Sequence, residues 1–239
     1  MKKIIGISIL IFLLVFIIYK SNDYNLIDYM VVGDSMNLGI NSYGNITYGY
    51  NDYLKDYLEN SNLLHKYNNY FVKNEYKIRD LVEDIKNNKN ILYNDKTYNI
   101  KKELREADLV TVAIGMDELV KILNNKDIKD FAKIQKDLDV MVNNMEELIK
   151  SITALSKKKI VLIGYYNPYT NNITKDVDQI LAYISDKYKN IASKYSITYI
   201  DIYNLIKKDV NYLPNKLDYH LTSKGYLQIA KEIITKNNL

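Results

Sequence analysis

The sequence predicts an α/β fold in which a mostly parallel sheet is covered by helices on both faces. Three observations carry this expectation. Short apolar runs of strand length alternate with longer runs whose apolar residues recur every three or four positions. Two of the short runs end directly in polar, glycine-containing turns, Gly33-Asp34-Ser35 and Gly115-Met116-Asp117-Glu118, as strands do at the carboxyl edge of a parallel sheet. The 239 residues, less an apolar N-terminal stretch, also suit one domain of this class.

Met1-Lys2-Lys3 precedes an uncharged apolar run from Ile4 to Tyr19, which Lys20 closes. This is the pattern of a basic n-region followed by a membrane-active core. At about 1.5 Å per helical residue the run is slightly short for a hydrocarbon core of ~30 Å, a deficit that snorkelling lysines can cover. Phe16 to Lys20 offers no small-x-small cleavage site, so a retained anchor is favoured over a signal peptide whose removal would release the domain. More basic residues precede the run than follow it, which leaves the N-terminus in the cytoplasm and sends the domain outside. Residues 1–25 are therefore read as anchor and linker, and residues 26–239 as one domain.

Leu26 to Val32 reads as the first strand. Tyr48 to Leu58 has helical spacing, Tyr70 to Lys73 suits a second strand, and Ile78 to Ile85 opens a helix with Leu81 and Ile85 on one face. Leu109 to Ile114 reads as a buried strand, after which Leu119 to Leu123 and the long segment Ile128 to Leu155 are helical in pattern. A strand at Ile160 to Ile163, a helix at Val177 to Ala192, a strand at Ile197 to Ile202 and a closing helix at Ser223 to Ile234 complete the alternation.

Composition narrows the chemistry. Hydrophobic residues at 47% and charged residues at 26% suit a packed core and not a disordered chain. The net charge is only +4 and the lysines are spread along the chain, which argues against nucleic acid as a partner. There is no Cys, which excludes disulfides, thiolate metal sites and a cysteine nucleophile. A nucleophile must come from Ser, Thr, Lys or a carboxylate.

Ser35 follows an apolar strand directly, where a sharp turn can hold Oγ in the open and the next helix can offer backbone donors. The chain has two histidines. His220 stands immediately before the last helix, in Leu217-Asp218-Tyr219-His220-Leu221-Thr222. Serine needs a base near neutrality, and imidazole supplies one when a carboxylate fixes its tautomer. Asp218 is the nearest such carboxylate. His65 has no comparable surroundings and is read as a surface residue without a role.

These blocks resemble the GDSL/SGNH hydrolase family, with its GDS block near the N-terminus, a middle G-x-N-D block and a C-terminal D-x-x-H block. The resemblance runs from about Leu26 to the C-terminus. It implies a three-layer, flavodoxin-like fold and acyl-ester hydrolysis without metal or organic cofactor. It further implies Ser35 as nucleophile, His220 as proton carrier, and an oxyanion hole built from the Ser35 N–H, a second-block backbone N–H and a third-block side chain.

Three departures stand out. Asp117 occupies the place of the family's amide donor; an ionised carboxylate there offers no donor and repels an oxyanion, at a typical cost of about 2.7 to 4 kcal/mol, whereas a protonated one could donate. The second block, around Phe71 to Leu81, lacks a glycine; its backbone donor falls on Asn74 or Glu75, and Asn74 is preferred because Asn tolerates a left-handed conformation better. The last block is D-x-H, with Leu217 at the family's acid position and Asp218 one residue nearer the histidine.

The expected function is a membrane-anchored, extracytoplasmic esterase acting on small-molecule, lipid or envelope-polymer esters. The alternative is a binding or scaffolding module of the same fold whose turnover Asp117 has impaired.

Overall fold

The computed structural model describes residues 26–125, 128–169 and 174–239. The expected anchor and linker, residues 1–25, lie outside the described residues. Among those described, no helix is long and apolar enough to cross a membrane.

The strands are β1 (Ile27–Gly33), β2 (Leu64–Val72), β3 (Asn90–Tyr93), β4 (Lys96–Asn99), β5 (Leu109–Ala113), β6 (Lys159–Ile163) and β7 (Thr198–Ile200). The helices are α1 (Tyr50–Asn60), α2 (Ile78–Lys86), α3 (Ile100–Glu106), α4 (Met116–Asn125), α5 (Phe131–Leu155), α6 (Thr174–Lys194), α7 (Tyr203–Lys207) and α8 (Ser223–Asn237). Five strands form one sheet in the order β2-β1-β5-β6-β7, with every neighbouring pair parallel. Set apart from it, β3 and β4 make an antiparallel hairpin. The five-stranded order is the flavodoxin-like one.

Every residue of β5 is buried, as are the last five of β1. Continuous burial of this kind means that both faces of the sheet are covered. On one side α1 packs against α8; in a second group α5 packs against α2, α3, α4 and α6. The stripe that α5 buries, Ile134, Leu138, Met141, Met145, Leu148 and Ile152, follows the three- and four-residue spacing seen in the sequence.

The chain passes from β1 to β2 on one side and later returns to β5 on the other side of β1. Such a reversal opens a crevice at the carboxyl ends of the two strands between which it occurs. Ser35 leaves the end of β1 and Asp117 the end of β5, so both lie at this crevice.

Some expected elements are displaced. The second strand is longer than Tyr70 to Lys73, because Leu64 to Asn68 already pairs with β1. Its sequence, His65-Lys66-Tyr67-Asn68-Asn69, is polar because β2 is an edge strand with much of its surface in solvent. The β3–β4 hairpin was not anticipated. Its turn, Asn94-Asp95, has positive φ at both residues (47° and 57°), the type I′ signature for which Asn and Asp are suited. The helix expected from Ile128 begins at Phe131, and the one expected from Leu119 begins at Met116.

Candidate active site

Gly33 ends β1 with φ of +149°, and a Cβ there would lie 1.8 Å from the Ala113 carbonyl oxygen. Only glycine allows β1 to pass this close to β5 and then turn. A short 3-10 turn, Ser35–Leu38, follows, with Ser35, Met36 and Asn37 buried. The Asn37 amide donates to the Ala113 carbonyl at 2.7 Å and accepts from the Tyr50 hydroxyl, so the turn is fastened to both β5 and α1. The stretch after the serine thus begins as a packed loop.

Asp34 is fully buried behind the serine. Its Oδ2 accepts from the backbone N–H of Gly115 at 2.7 Å and of Met116 at 3.2 Å, and its Oδ1 from Met36 N–H at 3.3 Å. The first two donors belong to the start of α4, so Asp34 caps from β1 a helix that follows β5. Burial, and next the nearby Asp117, push its carboxyl up to about 8, against the pull of the three N–H donors. This bridge sets Ser35 and Asp117 in register. Gly115 completes it with φ of +100° and no room for a Cβ, which would meet the Tyr165 hydroxyl at 2.4 Å.

On the opposite wall, Thr222 caps α8 by accepting from Gly225 N–H, and the loop before it presents His220. His220 Nε2 lies 3.2 Å from Ser35 Oγ. Its Nδ1 lies 2.7 Å from Asp218 Oδ1, and that same oxygen accepts from His220's own N–H, also at 2.7 Å. The D-x-H spacing is therefore no obstacle: the loop curls so that a carboxylate two residues away reaches the ring. Leu217, at the family's acid position, is 97% exposed. His65, in contrast, is exposed on β2 and bonds Asp28.

Asp117 is 5% exposed, in the first turn of α4. Its Oδ1 accepts from the Ser35 hydroxyl at 3.2 Å and from the Tyr219 hydroxyl at 2.7 Å, while its Oδ2 is buried without a hydrogen-bond partner. Burial, and next the bond to Asp117, push the Tyr219 hydroxyl well above the usual tyrosine range, so it remains a donor. The Tyr219 ring stacks on His220, with centroids 4.4 Å apart and planes at 26°. Its carbonyl accepts from the Tyr166 hydroxyl. Tyr219 is the residue of this site that sequence reasoning missed; its reach to Asp117 crosses 102 positions of chain, and no local pattern marks it.

In the second block, Asn74 and Glu75 follow β2 and are both exposed. The ground for preferring Asn74 fails: the left-handed backbone belongs to Glu75, with φ of +53°. The segment is joined to the third block by Glu118, whose carboxylate accepts from Ile78 N–H at 2.7 Å. Tyr165 and Tyr166, which follow β6, are both buried and support Ile114 and Tyr219 through their hydroxyls.

The sequence profile of the GDSL-like Lipase/Acylhydrolase family matches residues 29–233. No curated protein sequence matches the chain. Among solved structures, a lipase from a goat rumen metagenome superposes with a TM-score of 0.69 at 19% identity, covering 87% of this chain and 96% of its own. An acetylxylan esterase from Geobacillus stearothermophilus superposes with a TM-score of 0.63 at 16% identity, covering 89% and 94%. At such identities the structural likeness speaks for the fold.

Proposed function

Because this chain belongs to the GDSL-like lipase/acylhydrolase family, whose chemistry is the hydrolysis of carboxylic esters, we propose that it is a serine esterase with Ser35, His220 and Asp218 as its reactive set. The observation that carries this reading is the hydrogen-bonded series Ser35 Oγ, His220 Nε2, His220 Nδ1, Asp218 Oδ1, with separations of 3.2 and 2.7 Å.

Ser35 Oγ attacks the ester carbonyl carbon; the new C–O bond forms as the hydroxyl proton passes to His220 Nε2 and the carbonyl π pair moves onto oxygen. Asp218 holds the imidazolium and its tautomer. Collapse of the intermediate breaks the bond to the alcohol oxygen, which takes the His220 proton and leaves. Water then attacks the acyl-Ser35 carbonyl, gives a proton to His220, and a second collapse returns the acid and restores Ser35 with its proton. The Ser35 N–H and a backbone N–H of the Asn74-Glu75 segment are the proposed oxyanion donors; Asp117, whose Oδ1 accepts from Ser35 and Tyr219, holds the family's third oxyanion position without donating.

The apolar segment 4–19 supports a single-pass anchor with the domain outside the cell, and the linker ends at the amino edge of β1. A depression lined by Asn41, Ser42, Tyr43, Asn211, Thr222, Ser223 and Lys224 lies beside the segments that follow Ser35 and His220. The proposed substrates are small-molecule, lipid or envelope-polymer esters.

A second reading, a binding module of the same fold, draws on one observation: the Ser35 hydroxyl also has a buried carboxylate at 3.2 Å as acceptor. The experiment that separates the two is release of p-nitrophenol from p-nitrophenyl acetate by the full chain in detergent. The esterase reading expects turnover that Ser35→Ala and His220→Ala both reduce to background. Turnover that survives either substitution contradicts the Ser35–His220 assignment, whereas no turnover in the wild type and none in Asp117→Asn favours the binding module.

A further inference from the structure

The Ser35 hydroxyl has one proton and two acceptors at the same distance: His220 Nε2 and Asp117 Oδ1, each at 3.2 Å. Only transfer to His220 is productive, so something must make the carboxylate the weaker claimant. Asp117 Oδ2 has no partner, and the only donors to Oδ1 among the described residues are Ser35 and Tyr219. Were the Tyr219 hydroxyl absent, a buried carboxylate would have the nucleophile as its sole donor. Burial of an under-bonded carboxylate is costly, and that cost would draw the serine proton toward Asp117.

The Tyr219 hydroxyl donates to the same Oδ1 at 2.7 Å, the shorter of the two bonds. It fills one lone pair and withdraws charge from the oxygen that competes with His220. The same side chain lies flat on the imidazole, and its carbonyl is fixed by the Tyr166 hydroxyl. One residue therefore touches both acceptors of the serine proton. We propose that Tyr219 is a positioning residue that makes Asp117 compatible with turnover, directing the Ser35 proton to His220. This inference rests on the serine-esterase reading above.

The test is a double-mutant cycle on the full chain with Tyr219→Phe, Asp117→Asn and their combination, read by p-nitrophenyl acetate kinetics and by the rate at which a fluorophosphonate labels Ser35. Tyr219→Phe keeps the stacked ring and removes only the O–H. It is expected to lower kcat and the labelling rate by about 10- to 100-fold, with KM within about twofold. In the Asp117→Asn background, where no carboxylate competes, the same substitution is expected to change both by less than about threefold. A Tyr219→Phe enzyme as active as wild type overturns the proposal, and so does an equal loss in both backgrounds, which would mark a packing effect independent of Asp117. If wild type and Asp117→Asn are both inert toward ester and fluorophosphonate, the esterase reading itself falls, and this proposal with it.

Discussion

Asp218 Oδ1 lies 2.7 Å from His220 Nδ1 and, through the same oxygen, 2.7 Å from the His220 backbone nitrogen. Backbone and ring of the histidine are thus held by one carboxylate oxygen, which fixes both the loop and the tautomer. Asp218→Ala is expected to lower kcat on p-nitrophenyl acetate by on the order of 10² to 10⁴-fold with little change in KM. Adding Leu217→Asp, which restores the family's D-x-x-H spacing, is expected to recover almost none of it, because Leu217 is 97% exposed. Recovery to within about tenfold of wild type would show that this loop freely re-forms around the other spacing.

The approach of β1 to β5 depends on Gly33, since an added Cβ would stand 1.8 Å from the Ala113 oxygen. Gly33→Ala is expected to destabilise the fold by about 3 kcal/mol or more, read from urea unfolding. Gly44 makes the control. Its φ of +75° would strain any other residue, but an added Cβ would meet no atom within 4 Å, so Gly44→Ala should cost only about 1 kcal/mol. Equal losses at the two positions would mean that backbone conformation, and not the contact with β5, sets the requirement.

Asp34 gives stability a pH dependence whose sign follows from its environment. Its carboxyl is pushed up to about 8 in the folded protein from 3.8 in the unfolded chain, so between these values the native state holds the extra proton. Stability from this group is fully present below the unfolded value and is lost as pH rises through the folded one. The urea midpoint of the wild type is expected to fall between pH 5 and 9 relative to that of Asp34→Asn, which will be less stable throughout because one backbone donor loses its acceptor. Glu118 is also raised and Asp84 lowered, so the difference between the two proteins is the informative quantity. Parallel pH profiles would show that Asp34 binds no extra proton.

Much of this layout was legible in the sequence for physical reasons. The buried strand at Leu109 and the helix at Ser223 bury continuous or regularly spaced apolar residues, and such patterns survive without tertiary knowledge. Ser35 and His220 were legible because the turns that present them follow a strand and precede a helix. The edge strand β2 was only partly visible, since only two of its nine residues are buried and its composition is correspondingly polar. Tyr219 was invisible: its importance comes from an oxygen that meets Asp117 across the crevice, a relation of distant segments that no spacing encodes. The left-handed backbone expected at Asn74 stands one position later, at Glu75, because chain geometry after β2 and not residue propensity sets where it falls.

Ser35 is proposed to be an activated nucleophile. Full-length protein treated with a fluorophosphonate and analysed by intact-mass and peptide mass spectrometry tests this without presuming an ester substrate. One adduct per chain is expected, on Ser35, lost in Ser35→Ala and strongly slowed in His220→Ala. A wild-type protein that takes up no label, or takes it up at another residue, would contradict it.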